Sequence, residues 1–135
     1  MSALHRLFYI SRADEKIGHQ HLGDLLPGAR HHNATRGVTG ILIFDGLHFA
    51  QVLEGPAPEL LPLMTRIYGD DRHSEVNLLF FEPISERQYR SWALGYVYDD
   101  TLVDDVANLL ALKVIDHTMA QQLADALVVR ADQMA

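Results

Sequence analysis

Apolar positions in this chain change their spacing in a fixed succession, and each change marks an element. LHRLFYIS, Leu4 to Ser11, is short and rich in strand formers, which predicts a first strand with Leu7, Tyr9 and Ser11 on one face. From about Gly18 to Asn33 the period becomes helical, with Leu22, Leu25 and Leu26 on one side. Pro27-Gly28 interrupts that stretch, and the missing backbone donor predicts a kink or break. VTGILIF, Val38 to Phe44, is a second strand, Asp45-Gly46 a hairpin turn, and HFAQVLEG the returning strand. APELLPLMTRIY then sets Ala57, Leu60, Leu61, Met64, Ile67 and Tyr68 at helical spacing, with Pro56 suited to the helix start. VNLLFFEPI and WALGYV supply two more strands.

The order β-α-β-β-α-β-β predicts an α+β fold, a ferredoxin-like sheet with two helices on one face. Beyond it, Thr101 with Asp104 and Thr118 with Gln121 resemble capping boxes, predicting two C-terminal helices. Val106, Leu109 and Leu110 give the first an apolar stripe, and Met119, Leu123 and Leu127 the second. Residues 1–97 are therefore expected to form one domain, and residues 98–135 a two-helix extension packed on it. Amphipathic helices at that place are expected to cover the bare sheet face or meet a partner, making a homo-oligomer the expectation.

Composition narrows the function. A net charge of −7 and the lack of a basic stripe argue against nucleic acid. No apolar run is long enough to cross a bilayer, and no signal peptide pattern opens the chain. There is no cysteine, so thiol chemistry is excluded, and a cytoplasmic setting is expected. Eight histidines invite a metal, yet His19 and His21, then His31 and His32, lack a third ligand at ligating separation. Arg66 and Asp70, four apart, have the spacing of a helix-surface ion pair. Nothing resembles a nucleophile elbow or a phosphate loop, so no enzymatic activity is expected.

One polar residue stands out. In FAQVLEGP, Gln51 lies among Phe49, Ala50, Val52 and Leu53. A ferredoxin-like layout sets the first and third strands side by side, so Tyr9 and Gln51 could project beneath the helices from adjacent strands. A buried amide or phenol left without a partner costs about 1–3 kcal/mol. Each can satisfy the other, because an amide both donates and accepts and a phenol can do either. One reading stops there, with a satisfied polar pair in a core.

The motifs taken together carry a second reading. LHRLFYISRA, HHNATRGVTGILIF, FAQVLEG, DDRH and SWALGYV stand in an order and spacing that resembles a BLUF domain, the flavin-binding blue-light sensors, from about Leu4 to Val97. The resemblance implies a non-covalent flavin between the two helices, FAD with FMN or riboflavin as alternatives. Tyr9 matches the tyrosine that donates an electron and a proton to the excited flavin, and Gln51 the amide between that phenol and the flavin N5/O4 edge. Asn33 matches the side chain that fixes the O4/N3 edge. His32, Phe49, Arg66, Asp70 and His73 match positions lining the ring or the chain leading from it. Gln51 suits the task because exchanging its two chemically different ends records light as a rearranged hydrogen bond.

The family commonly has methionine two positions after its tryptophan, whereas Trp92 here is followed by Ala93 and Leu94. Leucine keeps the volume and loses a polarisable sulfur. Trp92 and Leu94 are the expected signal relay, with Trp92 either at the flavin or in plain core. A chain of this length leaves no room for an effector, so the signal is expected to pass to a separate, unidentified partner protein. The alternative function is a cofactor-free ferredoxin-like module for oligomerisation or interaction.

Overall fold

The computed structural model of the protein describes residues 3–89 and 93–98, and of residues 19–21 the backbone alone. The two expected C-terminal helices, and with them the extension and the homo-oligomer they suggested, lie outside the described residues, as does Trp92.

The elements are β1 (Leu4–Ala13), α1 (His19–Thr35), β2 (Thr39–Phe44), β3 (His48–Pro56), α2 (Ala57–Tyr68), β4 (His73–Pro83) and β5 (Gly95–Tyr98). They form one five-stranded sheet in the order β4-β1-β3-β2-β5, antiparallel except for the parallel β2–β5 pair. This is the ferredoxin-like α+β arrangement expected from the element order, with β1 and β3 adjacent. Among the described residues, no helix is long and apolar enough to cross a membrane.

Register decides which residues meet. Across β1 and β3, Tyr9 stands opposite Gln51 and Leu7 opposite Leu53; on the far side of β3, Leu42 stands opposite Gln51. Leu7, Tyr9, Leu42, Phe49 and Leu53 therefore share a face, and they pack with Leu22 and Leu26 of α1 and Leu60 and Met64 of α2. The opposite face, with Phe8, Ile10, Ile41, Ile43, Ala50 and Val52, is buried as well. Burial on both faces explains why β1 to β3 read as near-continuous apolar runs instead of alternating ones. Each large side chain so buried contributes about 1.5–3 kcal/mol.

The structure narrows two expectations about the helices. The first helix is not broken at Pro27: α1 runs through it for 17 residues. Pro27 and Gly28 are exposed, so the missing donor lies on the solvent side, while Leu22 and Leu26 on the other side stay anchored in the core. In α2 the buried stripe is Leu60 and Met64, flanked by Leu63 and Ile67, whereas Leu61 and Tyr68 face outward, 56% and 54% exposed. Helical spacing placed six apolar residues near one another, and the position of the sheet selected the narrower arc.

The hairpin turn between β2 and β3 is held by Asp45, whose Oδ1 accepts the backbone N–H groups of Leu47 at 2.8 Å and His48 at 2.6 Å. A short polar side chain that folds back onto the following backbone is the turn chemistry an aspartate supplies.

Candidate functional site

The two helices do not close over the middle of the sheet. Between them lies a cleft that opens to solvent, with about 810 Å³ of empty space when its open mouth is included. Its floor comes from Tyr9, Leu42, Phe49, Gln51 and Leu53. Leu22, Leu25, Leu26 and Ala29 of α1 and Leu63 and Ile67 of α2 form apolar walls, and Asn33, Asp70, Arg72, His73 and Leu94 complete the lining. A mostly apolar lining with a few groups that can donate or accept hydrogen bonds suits an aromatic ring that has a polar edge, so the lining fits a flavin.

At the floor, the Tyr9 hydroxyl donates to Gln51 Oε1. The period of two in each strand aims both side chains at the helix side, and the β1–β3 register makes them direct neighbours. Tyr9 is buried and Gln51 partly exposed to the cleft. Burial raises the Tyr9 pKa well above that of a free phenol, and the Asp70 carboxylate raises it further against a smaller opposing effect of Arg72. The phenol is thus kept as a donor. The sign for stability follows: up to the unfolded value near pH ~10 nothing is lost, and above it the unfolded tyrosine ionises while the folded one holds its proton. Stability should fall as pH rises beyond that point, and urea midpoints at pH 9 and 11 should differ less in Tyr9→Phe than in the parent.

Asn33, buried near the end of α1, donates from Nδ2 to the Ala93 carbonyl at 2.8 Å, and Arg30, one turn earlier, donates from Nε to the Leu94 carbonyl at 2.9 Å. These two bonds hold the chain where it enters β5 and keep the buried Leu94 in the cleft lining. Phe49 stacks on Phe44 with centroids 5.1 Å apart and meets His73 edge-on at 6.0 Å. His73 lies between strands and helix: its Nε2 is 2.6 Å from the Ile67 carbonyl, which can only accept. Nε2 therefore carries the proton, and Nδ1, in the neutral ring, accepts from the fully buried Ser11 hydroxyl at 2.8 Å.

Asp70 pairs with Arg72, which donates from Nε at 2.9 and 3.0 Å and holds the carboxyl below its usual range against a smaller effect of burial. The i,i+4 pairing of Arg66 with Asp70 that their spacing allowed does not appear among the hydrogen bonds described. Arg66 instead donates from Nη2 to His32 Nε2 at 2.6 Å, tying together the last turns of α1 and α2. His32 must be neutral to accept. Desolvation first, then Arg66, Arg36 and His31, lower its pKa.

Of the residues named from sequence, Tyr9, Asn33, Phe49, Gln51, Asp70, His73 and Leu94 line the cleft. His32 and Arg66 do not; they sit beside it as an inter-helix pair. Arg72, inside the quoted motif DDRH, was not singled out, and Ser11, inside LHRLFYISRA, was placed on the Tyr9 face without a role at the site. Among the described residues no cluster of metal-ligating side chains occurs.

Comparison with known proteins follows the same lines. A family described as BLUF, sensors of blue light using FAD, matches residues 4–95. A photoactivated adenylate cyclase subunit beta of Euglena gracilis is 33% identical over 116 residues, covering 82% of this chain and 14% of that protein. The chain thus spans about one seventh of the length of that curated relative. Among solved structures, the dark state of the BLUF protein BlrB superposes with a TM-score of 0.78 at 28% identity, over 96% of this chain and 98% of that one. Klebsiella pneumoniae BlrP1 with FMN and cyclic diGMP superposes with a TM-score of 0.67 at 31% identity, over 79% and 29%.

Proposed function

The chain belongs to the BLUF family of blue-light flavin sensors, and on that premise we propose that Tyr9 and Gln51 form the light-responsive pair that signals to an effector protein. The observation that carries this reading is the donation from the Tyr9 hydroxyl to Gln51 Oε1 at the floor of an open, apolar-walled cleft. When bound there, a flavin supplies blue absorption and an excited state that takes an electron. Tyr9 would give its electron to that excited state and pass its phenolic proton to it by way of the Gln51 amide, and would recover both as the pair relaxes. Gln51 exchanges its donating and accepting ends, so the amide presents a different end to its surroundings when the dark state of Tyr9 is restored. In a dry cleft that exchange weighs more than it would in water. Leu22, Leu26, Leu63 and Ile67 keep water out, and Asn33 orients the ring's polar edge.

A difference spectrum of the purified yellow protein tests the reading. Blue light should produce a red-shifted flavin band that returns in the dark. Bound flavin with no shifted band would refute it. Protein that folds, stays colourless and takes up no added flavin would favour the cofactor-free interaction module instead.

FAD or FMN would be held by the ring contacts that riboflavin shares, and Arg66 and His32, beside the cleft, would hold the phosphate-bearing tail. Arg66 in the last turn of α2 and His32 in the last turn of α1 stand together there, and the guanidinium is the group that would pair with an added anion. Arg66→Ala should weaken FMN and FAD by about tenfold, the lower range for a charge-assisted hydrogen bond at an exposed site, and leave riboflavin affinity unchanged. Fluorescence titration with the three flavins reads this directly.

A further inference from the structure

The strand that presents Gln51 to the cleft presents Glu54 to the opposite face, where it is fully buried. Its carboxylate accepts from Arg6 of β1, its cross-strand partner, through Nε at 2.9 Å and Nη2 at 2.7 Å. It also accepts the backbone N–H groups of Gln88, at 2.9 and 3.1 Å, and of Tyr89, at 2.8 Å. Burying such a pair is a poor way to gain stability, because apolar residues of the same volume do as well or better. What a fully satisfied carboxylate adds is geometry: it places two consecutive peptide groups of the connection between β4 and β5 at one point of β3. Arg87 repeats the attachment, donating to Thr39 Oγ1 at 2.9 Å, the Glu54 carbonyl at 3.2 Å and the Gly37 carbonyl at 2.6 Å.

The far end of that connection is fastened differently. Asn33 and Arg30 hold the carbonyls of Ala93 and Leu94, and Asn33 and Leu94 both line the cleft. The middle of the connection is thus clamped to the back of β3 by the Glu54–Arg6 pair, and its β5 end is held by Arg30 and by Asn33, which shares the cleft lining with Gln51.

We propose that Glu54 is a positioning residue for the light response: its carboxylate, braced by Arg6, anchors Gln88 and Tyr89 so that a change at the cleft moves only the Ala93–Leu94 end and is delivered into β5. The proposal rests on the light-sensor reading above. Tyr9 and Gln51 lie on the other face, so the photochemistry does not need Glu54, and its transmission does.

The chain's single tryptophan, Trp92, follows Tyr89 by three residues and serves as the reporter. In the flavin-loaded parent, blue light should give both the red-shifted band and a change in Trp92 fluorescence. Glu54→Gln keeps the shape but turns a donor against donors. It should keep the bound flavin and the full red shift while the Trp92 change falls by about fivefold, a coupling loss of ordinary size. The double variant Arg6→Met with Glu54→Leu removes the ion pair with apolar volume and should behave alike. A parental Trp92 response in either flavin-loaded variant overturns the proposal, and loss of flavin in both assigns Glu54 to fold stability and overturns it too. A parent without a red shift removes the light-sensor reading and this proposal with it, which separates the two failures.

Discussion

Tyr9→Phe should remain a folded, yellow protein and form no red-shifted band under blue light. The ring stays in the apolar layer between Leu7, Leu53 and the helices, so the core is unchanged in volume. Loss of one hydroxyl costs Gln51 a donor, and because Gln51 opens on the cleft, a ligand there can replace it. Stability should therefore drop by only about 1 kcal/mol, the net worth of a single hydrogen bond. Phenylalanine has neither a phenolic proton nor an easily removed electron, so the response should disappear altogether. Absorbance before and after illumination measures this, and a normal shifted band in the variant would mean that another residue carries the reaction.

A second large effect is expected far from any polar chemistry. A Cβ built on Gly40 would lie 2.1 Å from the Val52 carbonyl oxygen and 3.1 Å from the Leu53 Cα, both backbone atoms of the paired strand. Neither can swing aside, so Gly40→Ala must push β2 from β3 one pair after another. Leu42, two residues on, faces Gln51, and the displacement reaches the cleft floor. Urea denaturation should show a loss of about 3 kcal/mol, the upper range for overpacking, and flavin binding should weaken in parallel. Gly28→Ala is the matching control. Open space surrounds that position on the outside of α1, and alanine there should stabilise by about 0.5–1 kcal/mol through helix propensity. Equal effects at the two glycines would refute the steric argument.

Pro27 and the α2 stripe show where local pattern loses authority. A proline inside a helix costs about 3 kcal/mol in isolation, yet α1 continues through it because core leucines on the opposite side fix the helix to the sheet. Leu61 and Tyr68 fit a helical period as well as Leu60 and Met64 do. Only the sheet's position tells them apart. The charged residues teach the same lesson more sharply, since Arg66 and Asp70 sit four apart and each bonds to someone else, His32 and Arg72.

The order of elements, the hairpin and the residues that share a face within each strand were determined by the sequence itself, because strand period, helix period and turn chemistry act over a few residues. The motif order likewise carried the family. Tertiary structure alone decided that Tyr9 and Gln51 are register partners, that a cleft stays open between α1 and α2, and that Glu54 holds Gln88 and Tyr89. Those outcomes depend on how strands distant in the chain align, and a hydrogen bond across 34 or 42 residues leaves no trace in the spacing of the residues around it.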